Sequence, residues 1–129
     1  MRNIVVIVAG GLMLLAAIAH GLIGWPAVRA ALVNGHVQPE FISRFAGSWL
    51  WASASMLTFG TIVFISGVQM RRGNGSGTFA ARAIAVCYIV FGLLAIIFEG
   101  YDAHFLIFVL LGLLAAASFL RRSRAASNT

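Results

Sequence analysis

Charged residues are missing from long tracts of this chain and gather in the short stretches between them. Ile4 to Trp25 and Phe45 to Met70 carry no charge. Phe79 to Phe98 is interrupted only by Arg82 near its start, and Ala103 to Leu120 has neither acid nor Arg. A helix rises 1.5 Å per residue, so about 20 apolar residues cross the roughly 30 Å hydrocarbon layer of a bilayer. Three tracts meet that length and the fourth falls at its low end. Backbone groups in lipid must be satisfied within the segment, which leaves helix as the state for each tract. The pattern predicts an all-α four-transmembrane-helix bundle that forms one membrane domain over residues 1–129, with spans at 4–25, 45–70, 79–98 and 103–120.

The connecting stretches carry their own signals. Trp25-Pro26 is expected to end the first span at headgroup level, where Trp is favoured. Ala27 to Val33 then reads as a short interfacial helix stopping at Asn34-Gly35. Glu40 is expected to pair with Arg44 one helical turn later. Arg71 to Gly77 is a basic, glycine-rich connector, and Gly100-Tyr101-Asp102 a tight turn. The Gly73 to Thr78 run lacks the Lys and preceding strand of a phosphate-binding loop, so it reads as a linker.

Composition sharpens the membrane reading. Of 129 residues, 61% are hydrophobic and 9% charged, with a mean hydropathy of +0.99. Soluble domains are about a quarter charged, so this chain cannot coat a water-facing surface and lipids are its expected surroundings. The net charge of +6 does not point to nucleic acid, because the basic residues flank the apolar tracts, where anionic headgroups lie. Every basic residue is Arg, a usage that suits a GC-rich bacterial genome and an inner-membrane location. Arg2, Arg71, Arg72, Arg82, Arg121, Arg122 and Arg124 fall on one side of the bundle, and Arg29 and Arg44 on the other. By the positive-inside rule both termini are cytoplasmic. Arg2, an apolar core and Ala17-Ile18-Ala19 also resemble a signal peptide, but the apolar run continues past them to Trp25, which favours a retained span.

With that orientation, Glu40, Glu99, Asp102, His20, His36 and His104 all collect toward the outer side. His20 lies about 24 Å along a helix from Ile4, and Glu99 about 30 Å from Phe79. Tyr88, Gly92, Ala95, Glu99 and Asp102 recur at helical spacing, and His20 is bracketed by Ala16, Ala17, Gly21 and Gly24. Small residues mark the helix face that packs on other helices, so both ionisable groups should point inward. An ionisable residue within a span is a functional candidate by default. Glu99, His20 and Asp102 are the candidate acid–base groups. His104, Trp49, Trp51, Ser48, Ser55 and Tyr88 are candidates for lining a ligand pocket. Each also has a purely structural reading: carboxylates ending a helix in interfacial water, a histidine fixing helix packing, tryptophans anchoring at headgroups.

The residues leave the chemistry open. A His with one or two carboxylates in a dry pocket can exchange protons with a substrate, relay protons, or ligate a metal. No HxxxH, HExxH or ExxH spacing occurs, so no metal site is expected, and no cofactor is specified. Cys87, the sole cysteine, reads as a small buried hydrophobe.

In layout, the chain resembles the DoxX-like group of small four-helix bacterial membrane proteins. The resemblance rests on His20-Gly21 closing the first span, the irregular outer segment, Gly47 to Gly60, Arg71-Arg72 and His104-Phe105 in a compact last hairpin. It implies a four-span fold and a redox role, since some members are linked to quinone-coupled sulfur-compound oxidation. The chain is equally similar to other small four-span bacterial families. Three functions therefore stand side by side: a pocket for a lipophilic ligand or quinone, an accessory subunit of a larger membrane complex, and a proton-coupled transporter acting as a homo-oligomer.

Overall fold

The computed structural model describes residues 2–74, 77–98 and 103–120, and these are almost entirely helical. Helix α1 (Arg2–Ala19) passes into a five-residue π turn (His20–Gly24) and then into α2 (Trp25–Asn34) as one unbroken rod. Helix α3 covers Pro39–Arg71 and α4 covers Thr78–Phe98. A 3-10 turn at Ala103–Phe105 leads into α5 (Leu106–Leu120). The α1–α2 rod, α3 and α4 are long and apolar enough to cross a membrane; the last apolar helix is shorter.

The continuity of the rod corrects the expected stop at Trp25-Pro26. Inside a helix a proline ring collides with the carbonyl four residues earlier, here that of Leu22. Leu22 lies within the π turn, and a π turn widens the helix by one residue, so the strain is taken up without a break. Residues 27–33 are helical as expected, but as the continuation of α1. Helix α3 likewise starts six residues ahead of the apolar tract. Pro39 occupies its first turn with Glu40, both favoured there by the free N–H groups and the helix dipole. Among the described residues, Glu40 and Arg44 do not form the expected ion pair.

The helices pack in a ring: α1 on α3, α3 on α4, α4 on α5, and α5 on α1. The closest approaches run through glycine. A Cβ on Gly67 would lie 2.8 Å from the Ile7 backbone nitrogen, and one on Gly92 2.9 Å from that of Val109. Gly10 meets the Phe64 backbone more tightly still. Without a hydrophobic driving force between helices in lipid, such backbone-to-backbone contact supplies the packing energy.

The core gathers toward one end. Val6, Ala9, Met13 and Ala17 form the buried face of α1, against Val63 of α3, Ala81, Ala85 and Tyr88 of α4, and Leu111 and Ala115 of α5. In α3 every buried residue lies between Gly60 and Gly67, and α2 has none. Two hydrogen bonds close this end. The Asn3 side-chain amide donates to the Met70 carbonyl at 2.9 Å, and Ser66 Oγ donates to the Gly77 carbonyl at 3.0 Å.

The outer surface suits hydrocarbon. Leu22 and Trp51 are each 74% exposed, and Phe79 and Phe98 81%. Ser53, Ser55, Thr58 and Thr61 of α3 each donate to the carbonyl one turn back, so these hydroxyl donors need no water.

Candidate functional site

Beyond Ala17 the tight packing gives way to an aromatic ladder and a cavity. Phe41, Phe45 and Trp49 recur every four residues on α3 and so share one face. Phe41 and Phe45 lie 6.2 Å apart between ring centroids, and Phe45 and Trp49 5.9 Å. Trp25 packs against both Phe45 and Trp49, which ties α2 to α3. The ladder ends on His20. Its imidazole stacks on the Trp49 indole at 4.1 Å and 6° between planes, while Trp49 Nε1 donates to the His20 carbonyl at 3.0 Å. Gly24 makes room for this: a Cβ there would stand 3.0 Å from the indole. The π turn, its glycine and the indole together fix the imidazole in one orientation.

A cavity of about 400 Å³ opens beside that stack. The π turn contributes His20, and α3 contributes Trp49, Ala52, Ser55, Met56 and Phe59. Cys87, Tyr88 and Phe91 come from α4, with His104, Phe105 and Phe108 from the start of the last hairpin arm. Tyr88 is held by aromatic contacts, with Phe59 at 6.4 Å and Phe108 at 5.8 Å, and is only 4% exposed. The wall is apolar and aromatic with a few polar groups, the usual character of a small-molecule site.

Two of those polar groups lack a partner among the described residues. His20 Nε2 and Tyr88 Oη are both buried without a hydrogen-bond partner among the described residues. Leaving such a group unsatisfied costs about 1–3 kcal/mol, and native proteins rarely tolerate it without a reason. Ser55 Oγ, by contrast, donates to the Trp51 carbonyl at 2.9 Å and has only acceptor capacity to offer.

The structure therefore brings together His20, Trp49, Ser55, Tyr88 and His104 from the sequence-predicted set. Ser48 and Trp51 are exposed and stand outside the cavity lining. Trp51 follows Trp49 by two residues, which on a helix turns it to nearly the opposite face. Glu99 and Asp102 lie outside the described residues. Cys87 corrects its expectation: it is exposed and lines the cavity. Met56, Phe59, Phe91, Phe105 and Phe108 were not foreseen, although Ala52, Met56 and Phe59 continue the Trp49 face at helical spacing. Among the described residues, no three His, Cys, Asp or Glu side chains come together in a metal-binding group. A second cleft, of about 470 Å³, lies between α2 and the start of α3 beside Arg29 and contains none of the predicted site residues. No family model, curated protein or solved structure matches the chain.

Proposed function

We propose that this is a multi-pass inner-membrane protein whose cavity binds a lipophilic small molecule through His20 and Tyr88. The carrying observation is that two buried atoms, His20 Nε2 and Tyr88 Oη, have no hydrogen-bond partner among the described residues, in an otherwise apolar and aromatic wall. A ligand with a polar end would satisfy both and cover the rings. In this reading four helices cross the bilayer with both termini in the cytoplasm, following the Arg asymmetry. The Asn3–Met70 bond ties the start of α1 to the end of α3, so the N-terminal end of α1 lies at the same end of the bundle as Arg71 and Arg72. The cavity then belongs to the outer half.

Tyr88 is a natural donor and His20 can donate or accept, so the ligand presents at least one acceptor, such as a carbonyl oxygen. A quinone head group meets that requirement, as the DoxX-like resemblance would imply. His20 is the cavity group suited to exchanging a proton with the ligand, with His104 at the rim. Glu99 and Asp102 follow directly after α4 in sequence and remain candidates for the same chemistry.

A double-mutant cycle on ligand retention tests the reading. His20→Phe keeps a ring against Trp49 while removing the nitrogen, and Tyr88→Phe removes only the hydroxyl. Mass spectrometry of small molecules co-purified in mild detergent should show each variant retaining at least fivefold less ligand than wild type. The double variant should lose less than the product of the two, as groups on one ligand do. Wild-type protein without any co-purified small molecule, and no binding of an added quinone, would contradict the proposal.

A further inference from the structure

The cavity's rim and its floor differ in a way that indicates how a ligand reaches it. Tyr88 is buried and the His20–Trp49 stack half-buried, and together they form the floor, while Ala52 of α3 and Cys87 and Phe91 of α4 are exposed and line the same space. Of the four helix seams, α3 against α4 is the least extensive. The exposed side of α4 beside this rim is apolar: Val86 is 57% exposed, Val90 48% and Phe91 53%. Among the described lining residues there is no Asp, Glu, Lys or Arg to meet a charged ligand. A path leading to water would need polar walls. This one is faced with the side chains that face acyl chains.

We propose that the cavity is loaded sideways from the hydrocarbon layer, through the gap between α3 and α4, with Cys87 on the rim of that portal. The inference rests on the ligand-site reading above and narrows its substrate class. The ligand is an uncharged molecule that partitions into the bilayer, with a polar end seated at His20 and Tyr88 and an apolar body left toward the rim. A molecule that stays in water never samples this opening.

The sole cysteine allows a direct test in the intact protein. Benzophenone is uncharged and lipophilic, has one carbonyl acceptor, and photo-inserts readily into methionine C–H bonds. Added to proteoliposomes, it should label Met56 in the cavity wall, as read by peptide mass spectrometry. Prior alkylation of Cys87 with a bulky, bilayer-soluble maleimide should reduce the Met56 adduct at least fivefold. In Cys87→Ser the Met56 adduct should be the same with and without the reagent, whatever its level relative to wild type, which separates blockage of the rim from disturbance elsewhere. Strong Met56 labelling that survives complete Cys87 alkylation would overturn the lateral portal while leaving the binding site standing. No Met56 labelling in untreated wild type would overturn the site itself, and the portal with it.

Discussion

The two ends of this bundle solve opposite problems with the same few residue types. At the Asn3–Met70 end, glycines bring backbones into contact and every buried side chain finds a neighbour. Ser66, the one buried polar side chain there among the described residues, donates to the Gly77 carbonyl. At the His20 end the helix widens into a π turn, large aromatic rings replace small residues, and two buried polar atoms have no partner among the described residues. Glycine brings α1 onto α3 at the first end, and at the second it both packs α4 on α5 at Gly92 and makes room for an indole at Gly24. Packing in lipid comes from close van der Waals contact, so a cavity forfeits contacts that the closed end must supply. One end holds the fold and the other is free to carry chemistry.

Substitutions at equivalent points should separate these roles. The largest effect is expected at Gly67, where any Cβ meets the Ile7 backbone 2.8 Å away and neither helix can yield cheaply. Gly67→Leu should abolish a cooperative melt in detergent or lower its midpoint by more than 10 °C. Gly21→Ala, whose Cβ would sit at an ordinary 3.6 Å from Ser53 Oγ, should leave the midpoint unchanged. Equal sensitivity at both sites would dissolve the distinction between the ends.

Next in size is the polar closure. Ser66→Ala leaves the Gly77 carbonyl without that donor and should destabilise the protein by about 1–2 kcal/mol in reversible unfolding. Ser55→Ala at the cavity wall removes only a bond to the carbonyl of its own preceding turn and should change stability by less than about 0.5 kcal/mol.

The smallest contrast lies in the two turns. Both α2 and α3 end in the same Schellman arrangement, with Val37 N–H donating to the Leu32 carbonyl and Asn74 N–H to that of Gln69. The left-handed position is Gly73 (φ 84°) in one turn and His36 (φ 56°) in the other. A side chain in that conformation costs about 1 kcal/mol, so His36→Gly should raise stability by roughly that amount and Gly73→Ala should lower it similarly. Chemical unfolding of both variants checks the opposed signs.

The apolar tracts made the helices legible, because charge-free runs of spanning length have few alternatives. The boundaries were less so. Pro26 carries a strong stop signal, and nothing in composition reveals that a π turn ahead of it absorbs the clash. Pro39-Glu40 did carry a start signal for α3, but reading from the apolar tract alone began the helix at Phe45. Cavity residues followed helical phase more than residue type. Tyr88 shares the face of Ala81 and Ala85, whereas Cys87, one position earlier, turns outward. Trp49 and Trp51 are chemically identical and differ only by that phase. That His20 and Tyr88 lack partners among the described residues could not be read from sequence, since it depends on which side chains the packing brings within reach.

The central claim is that the open end is a ligand site rather than a packing defect, and Tyr88→Phe tests it most directly. The substitution removes one oxygen and leaves the ring against Phe59 and Phe108. Its stability should be measured by thermal melting in mild detergent, with and without an added saturating quinone. Tyr88→Phe should melt at or above the wild-type midpoint without ligand, because a buried hydroxyl with no partner among the described residues has gone. Quinone should raise the wild-type midpoint by several degrees and the variant's by less than half as much. An equal quinone shift in both proteins, or none in either, would contradict the claim.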